Sequence, residues 1–526
     1  MSISARLKRD GSEVLGILIP VPRRVEIEGG EREGASLVFK SMSRFKAVVA
    51  MFNSRYMLGN YPPYIELLRE NINKSAIIPF NWAQVPKSTM DSIMPHQKDA
   101  VDRIVTHFKG RALISLGPGK GKTLIGCLCT LHYGDSYLVV CPASKITDWQ
   151  NEMAQWTGRP KPPKLSKGTA MAQNIVASFD TLKRMENVTD RKFTLIIVDE
   201  CHKMKGDSQR TRELTRVLLN ADARVLLSGT PQENRPSELF NQLYALHPTI
   251  FTSRMVFTER YSDGQVSTRG LWEELGAKNL EELSIIMDQC MYRRDDVSVV
   301  QTEFKRFKVI LECTDEQRQE LILLKQKRDE LRVEEENALE SNLKRRIGMK
   351  RNHHANVMWE TAGRFKLTAA ITWLEDVLEQ HKEEKVAIFV YHHEVANALK
   401  SRLGVEVISG KTSGKQKDEF FAAFRQEQTG PRVGILTMDA VGDGINLAPG
   451  VSVIICFELH RVPSKMEQVE KRAYRIGAAR DVTSYWCVLE GSSDEQTLSK
   501  LQFKANINSR VLNGNKRAKF IFDKEF

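Results

Sequence analysis

The chain is poor in the residues that would staple or anchor it. Only eight cysteines, Cys127, Cys129, Cys141, Cys201, Cys290, Cys313, Cys456 and Cys487, are spread over 526 residues. None forms a Cys-x-x-Cys pair, and most fall in apolar stretches, so a zinc module or a disulfide framework is not expected and a reducing compartment fits. No apolar run approaches the roughly 20 residues that span a bilayer. The N-terminus lacks the apolar core of a secretory signal. An intracellular, soluble protein is therefore expected, in the nucleus if the source is eukaryotic. No short internal repeat is visible.

What is present is length, charge and alternation. The chain is long enough for two or three domains with full cores. Hydrophobic residues make up 41% and charged residues 27%, as in a globular protein. Basic residues outnumber acidic ones, 78 to 66, for a net charge of +12. That excess favours a polyanionic partner such as nucleic acid. Strand-like runs alternate with helical patterns from about Met94 to Leu246, and again from about Phe365 to Leu489. The first series includes 137–141, 174–178, 193–198 and 224–227; the second includes 386–391, 405–408, 433–437, 451–457 and 483–488. Two such series predict two parallel sheets covered by helices. Between them, Glu316 to Arg346 is rich in Glu, Lys, Arg and Leu and predicts a helical protrusion, a hairpin or a solvated helix.

Two strings carry the chemistry. Ala112 to Leu116 reads as a buried strand that runs into Gly117, Gly119 and Gly121, followed by Lys122 and Thr123. Such a loop lets backbone N–H groups converge on phosphate oxygens, with the lysine on the β/γ-phosphates and the threonine hydroxyl on Mg²⁺. Leu116 stands where the strict pattern asks for glycine. Alone, the string is also compatible with a ligand-free turn. Downstream, the β-branched run Thr194–Val198 ends in Asp199 and Glu200. Carboxylates at the end of a buried strand are costly unless they meet a cation, so Asp199 fits the metal and Glu200 the water. Capping the next helix is the alternative for both.

Together with other strings in order, these residues resemble the Swi/Snf-type, superfamily-two helicase-like ATPases. The strings are 94–97, the Lys-Thr loop, 138–145 with Trp149, 199–202, 227–234 with Glu238 and Leu239, 408–412, 440–447 and 468–477. Within that family, 257–263, 276–283, 291–294 and 389–393 resemble the annealing-helicase branch that acts at stalled replication forks. The resemblance implies an α/β fold of two RecA-like lobes, each a parallel sheet flanked by helices, with helical insertions between them. It implies ATP and Mg²⁺ as cofactors and double-stranded or forked DNA, bound without sequence preference, as partner. No membrane is implied, and protein partners are open. The segments expected are an N-terminal extension (1–90), lobe 1 (91–250), a helical protrusion and linker (251–362), lobe 2 (363–491) and a C-terminal brace with a basic tail (492–526). The extension is either a small DNA-recognition domain or a part of lobe 1 that only packs.

Carried over residue by residue, the resemblance makes Gln97 the adenine reader and Gly117, Gly119, Gly121 and Gly444 part of the nucleotide cradle. Lys122 and Glu200 are catalytic, with Thr123 and Asp199 on the metal. Arg472 and Arg475 are arginine fingers, and Gln468 shares their helix face. His202, Ser228 and Thr230 couple the γ-phosphate to lobe motion. Lys145, Ser178, Lys205, Lys411, Thr412 and Thr437 fall in strings that resemble phosphate-contacting ones. The chain departs from the family at Leu116 and Gly117, where acids are usual, at Val441, which replaces a glycine, and at Lys471, Tyr474 and Ala478, which replace Asp, His and Gln. These departures keep open a noncatalytic DNA-binding scaffold. A chromatin or protein–DNA remodeller is a further reading with the same motor, weakened because no bromodomain-sized, chromodomain-sized or SANT-like appendage is visible.

Overall fold

The computed structural model describes the chain except residues 1–3, 11–12, 20, 22–25, 43, 46, 50–77, 118, 268–271, 295–301, 339, 439–444, 476–477, 514–519 and 526. It divides into two compact units. One comprises Met1–Val266, Trp272–Val297 and Ile507–Arg517; the other comprises Ser267–Leu271, Ser298–Asn506 and Ala518–Phe526.

In the first unit, β1 (Ser4–Asp10), β2 (Glu13–Ile19), β3 (Glu31–Glu33) and β4 (Ser36–Phe39) form an antiparallel sheet in the order β1-β2-β4-β3. The central sheet holds β5 (Arg111–Ser115), β6 (Tyr137–Cys141), β7 (Ile175–Ser178), β8 (Leu195–Asp199) and β9 (Ala223–Ser228). A short ribbon, β10 (Gln265–Val266) and β11 (Trp272–Glu273), precedes β12 (Met291–Arg293), which closes the sheet in the order β12-β5-β9-β8-β6-β7. All its pairings are parallel. Because side chains alternate along a strand, Leu113, Val140, Ile196 and Leu226 feed one core, whereas Ile114, Val139, Ile197 and Val225 feed the other. Burial on both faces is what a parallel sheet needs, and it explains the unbroken apolar runs.

Five helices matter for the site and its support: α1 (Pro95–Thr106), α2 (Lys122–Tyr133), α3 (Ile146–Thr157), α4 (Arg254–Tyr261) and α5 (Leu280–Cys290). The N-terminal sheet shares a core with α5, through Ala5, Leu7, Leu18, Leu283 and Ile286. A buried ion pair pins it there. Arg260 donates to Glu282 at 2.6 and 2.8 Å and to the Ala5 carbonyl at 2.9 Å, and Tyr261 donates to the same carboxylate at 2.6 Å. Ile507, Val511 and Leu512 also enter this unit's core, where Asn508 and Gln232 exchange hydrogen bonds.

The second unit is a seven-stranded parallel sheet in the order β15-β16-β14-β17-β18-β13-β19. Its strands are β13 (Phe304–Leu311), β14 (Lys385–Val390), β15 (Val407–Ile408), β16 (Val433–Thr437), β17 (Val451–Cys456), β18 (Val482–Leu489) and β19 (Lys524–Glu525). Val386 and Ile388 face one core, Ala387 and Phe389 the other. The charged stretch is a pair of packed helices, α6 (Asp315–Asn337) and α7 (Ser341–Ala369), joined side to side where the His354 ring meets the Leu324 carbonyl at 2.8 Å. Two further helices are α8 (Pro463–Ala473) and α9 (Ser493–Asn513). The two sheets with their helices are the two RecA-like lobes. The stretch 251–362, expected as helical protrusion and linker, also supplies one strand to each sheet, β12 and β13. The basic cluster Lys516, Arg517 and Lys519 lies outside the described residues.

Candidate active site

The first sheet brings its chemistry to the C-terminal ends of β5, β8 and β9, where parallel α/β sheets bind ligands. After β5 the chain turns through Gly119 (φ 76°) and Gly121 (φ 73°), and Gly121 caps α2. Both need the left-handed region that favours glycine. Gly117 does not; a Cβ there meets nothing nearer than the Lys120 side chain at 3.7 Å. Lys122, on the first turn of α2, folds back over the loop and donates to the Leu116 and Gly117 carbonyls at 2.9 and 3.3 Å. Thr123 follows at the same helix start, half-buried.

The loop is buttressed from α1. The His96 ring contacts the Lys120 carbonyl at 3.0 Å, and Lys120 itself donates to the Arg294 carbonyl at 3.2 Å. Gln97, expected to read the base, is buried under the loop. Its carbonyl accepts from the Met94 N–H at 2.9 Å, and its amide lies so close to Gly121 that a Cβ there would fall 2.0 Å from Nε2. In this arrangement Gln97 supports the loop.

At the end of β8, Asp199 accepts from the Trp149 indole of α3 at 3.0 Å and from the Glu200 N–H at 2.9 Å. Burial, then the Glu200 charge, pushes the Asp199 carboxyl above its ordinary 3.8, against the pull of Trp149 and Lys122. Burial acts on Glu200 as well. There the His202 hydrogen bond and charge, with Lys122 and Lys203, outweigh it and bring the pKa down to about 2. Glu200 sits in the left-handed region (φ 52°), an uncommon conformation for a side chain of its size. His202 is the junction of the site. Its Nδ1 is 3.3 Å from a Glu200 oxygen and 3.1 Å from the Ser228 hydroxyl at the end of β9. Ser228 in turn accepts from the Thr230 N–H at 3.1 Å. Lys122, Asp199, Glu200, His202, Ser228 and Thr230 thus form one connected group.

The donor chemistry fits Mg²⁺. A hydroxyl and a half-buried carboxylate are hard oxygen ligands, and Mg²⁺ takes one or two carboxylates plus substrate phosphates. Among the described residues no group of three or more His, Cys, Asp or Glu is placed to hold a metal alone. Two residues that support the acids carried no assignment in the sequence. Trp149 orients Asp199 from 50 positions upstream, and Lys203 lowers the Glu200 pKa.

The second unit holds the remaining candidates. Arg472 is buried on α8 and donates to the Ile445 carbonyl at 3.2 Å. The helix ends at Ala473, and Tyr474 (ψ 88°) leaves the helical path. Arg475 therefore lies beyond the helix, not on a face shared with Gln468 and Arg472 as the spacing suggested. Its Nε is buried with no hydrogen-bond partner among the described residues, and burial lowers its pKa. Gly444 lies outside the described residues. The departures at Lys471 and Tyr474 have local roles: Lys471 pairs with Glu467 at 3.2 Å, and Tyr474 packs on Phe304 with ring centres 5.1 Å apart.

The residues expected to meet nucleic acid fall in both units. In the first unit, Lys145 pairs with Asp148 at 3.0 Å, Lys205 with Glu233, and Ser178 caps the helix that follows β7, accepting from Thr181 at 3.1 Å. In the second, Lys411 is exposed, while Thr412 closes a turn by accepting from the Ser409 N–H at 3.0 Å. Thr437, at the end of β16, keeps a buried hydroxyl with no partner among the described residues.

Residues 40–352 match the SNF2-related domain, and residues 369–477 match the helicase conserved C-terminal domain. The chain is 30% identical over 455 residues to the SWI/SNF-related matrix-associated actin-dependent regulator of chromatin subfamily A-like protein 1 of Drosophila melanogaster, covering 82% of this chain and 57% of that protein. It is 25% identical over 466 residues to the human DNA annealing helicase and endonuclease ZRANB3, covering 82% and 41%. The chain spans about half the length of the curated relatives it matches. Among solved structures, a Sulfolobus solfataricus SWI2/SNF2 ATPase core in complex with dsDNA is 19% identical, with a TM-score of 0.37, covering 80% of this chain and 93% of that one. Among the described residues, no helix is long and apolar enough to cross a membrane.

Proposed function

We propose that this chain, which belongs to the SNF2-related family, is an ATP-driven motor that moves along double-stranded or forked DNA and remodels or reanneals it. The observation that carries the reading is the connected group of Lys122, Asp199, Glu200, His202 and Ser228 at the strand ends of one parallel sheet. Relatives whose names include DNA annealing helicase support the fork-remodelling branch.

In this reading Lys122 leaves the loop carbonyls for the β/γ-phosphates, whose charge replaces two neutral acceptors. The N–H groups at the start of α2 point at the same oxygens. Thr123 and Asp199 would hold Mg²⁺, which would supply charge neutralisation on the phosphates. Glu200, ionised across the physiological range, orients and polarises the attacking water. The opposite pushes on two neighbouring acids sort their roles. His202 touches both Glu200 and Ser228, so a change at the γ-phosphate is felt at the end of β9. Arg472 and Arg475 neutralise the charge that develops in the transition state. DNA is held through its backbone, so binding is salt-sensitive and indifferent to sequence.

Turnover by the purified chain, measured without nucleic acid and with single-stranded, duplex and forked DNA, tests this directly, with Lys122→Ala as blank. Duplex or forked DNA should stimulate ATP hydrolysis strongly, and a fork excess supports the annealing branch. Stimulation by single strands alone would replace the reading with a conventional helicase. No Lys122-dependent turnover on any DNA would leave a scaffold.

A further inference from the structure

The second unit carries a strip of positive charge that none of the roles above uses. It lies where α6 and α7 meet the first turns of α9. Two adjoining cavities of about 290 and 440 Å³ share Arg328, Ala355, Gln496 and Lys500, which makes them one elongated cleft. Six cations line it: Arg328, Arg332, Arg351, Arg461, Lys500 and Lys504. Carboxylates partner at least three of them. Arg328 binds Asp329 at 2.9 Å, Arg351 binds Glu335 at 3.2 Å, and Arg332 approaches Glu336 at 3.8 Å on an exposed face.

Arg461 is the informative member. Among the described residues its guanidinium donates to neutral oxygens, Asn356 Oδ1 at 3.1 Å and the Ala355 carbonyl at 3.0 Å, and it stacks 4.2 Å over the Trp359 ring. Burial lowers its pKa, against the pull of Tyr391. Lys504 donates to the Arg461 carbonyl at 3.1 Å, and Lys500 stands exposed on the next turn of α9. A single phosphate would call for donors converging on one point. Here the cations are strung along a cleft, which suits an anion with repeated charges.

We propose that this cleft holds a stretch of DNA phosphodiester backbone through cations that belong to none of the motif strings, with Arg461, Lys500 and Lys504 as its anchors and Arg332 at its rim. The proposal rests on the reading that the chain works on DNA and adds a second contact on the same unit. A DNA strand offers a charge about every 3.4 Å, matching a row of cations. A planar guanidinium backed by an aromatic face suits phosphate oxygens.

The test is the salt dependence of binding to a plain DNA duplex, followed by fluorescence anisotropy between about 50 and 200 mM salt. Lys500→Ala should make the log–log slope shallower by about one, and Arg332→Ala with Lys500→Ala by about two. Both side chains are exposed, so folding is not at stake. Lys382→Ala with Lys415→Ala, two exposed lysines elsewhere on this unit, should leave the slope unchanged. A cleft double variant with the wild-type slope would overturn the proposal while leaving the motor reading standing. A wild-type chain that binds no duplex would overturn both. Inorganic tripolyphosphate raising the thermal midpoint of wild type but not of the double variant, with DNA slopes equal, would assign the cleft to a small polyanion and overturn its assignment to DNA.

Discussion

Asp199 and Glu470 are both carboxylates set against a parallel sheet, one in each unit, and they are treated in opposite ways. Glu470 on α8 is fully provided for. Arg306 donates to it at 2.8 and 2.6 Å, Ser484 at 3.0 Å and Trp486 at 2.9 Å. Arg306 is itself flanked by Phe304, Trp486 and Phe520, each ring centre 5.2 to 5.3 Å away. Burial works against that guanidinium, yet Glu470 holds its pKa above the ordinary value. Asp199 has one indole and one backbone N–H, and its pKa rises. A structural charge is finished when the chain folds, whereas a functional charge is left for a ligand to complete. Arg475, whose buried Nε has no partner among the described residues, belongs with Asp199.

The sharpest way to break this contrast is Arg475→Ala. An arginine finger contributes about 10³-fold or more to turnover, so DNA-stimulated hydrolysis should fall by at least that factor. The thermal midpoint should hold or rise, because among the described residues the buried Nε of Arg475 has no hydrogen-bond partner to lose; a large fall in midpoint would put Arg475 among the structural charges. Next comes Glu470→Ala, which strands Arg306 in the core and should destabilise the second unit by about 3–5 kcal/mol. Denaturant unfolding reads this, and Arg306→Met combined with Glu470→Leu should lose far less, since no charge is left alone. Equal losses in the single and double variants would mean that packing, not the pair, dominates.

Asp199→Asn should abolish hydrolysis yet raise the nucleotide-free, Mg²⁺-free thermal midpoint. The sign follows from the raised acid. The unfolded chain releases this proton near 3.8, before the folded one does, so the wild type loses stability as pH rises from there through the folded pKa. Asparagine has no proton to lose, and its advantage should grow over that window and then level off. Glu200 runs the other way: with its folded pKa near 2, its contribution is present above the ordinary 4.5 and is lost as pH falls through about 2.

The same contrast explains what the sequence disclosed. Strands buried on both faces are legible as apolar runs, and 137–141 and 433–437 begin and end where expected. Acids at a strand end stand out for the same reason. Elements whose stability comes from distant partners were not legible. β12 is three residues long, with no periodicity, and is fixed by pairing with β5 across the unit. β13 carries Lys305, Arg306 and Lys308, and reads as a strand only once Glu470, 164 residues away, is known to receive Arg306. The N-terminal sheet is held by Arg260 and Glu282, also far along the chain. Gln97 shows a different limit. Its string was recognisable, but whether its amide faces a base or the loop depends on Gly121, which only the fold brings against it.

The central claim is that Lys122 and Glu200 serve one nucleotide in different ways. Binding of a fluorescent ATP analogue and single-turnover hydrolysis should therefore be measured together on the wild type, Lys122→Ala and Glu200→Gln. Lys122→Ala should lose nucleotide binding. Glu200→Gln should bind ATP as the wild type does and hydrolyse it about 10²–10⁴-fold more slowly. Comparable turnover in all three would contradict the account and place the active site elsewhere.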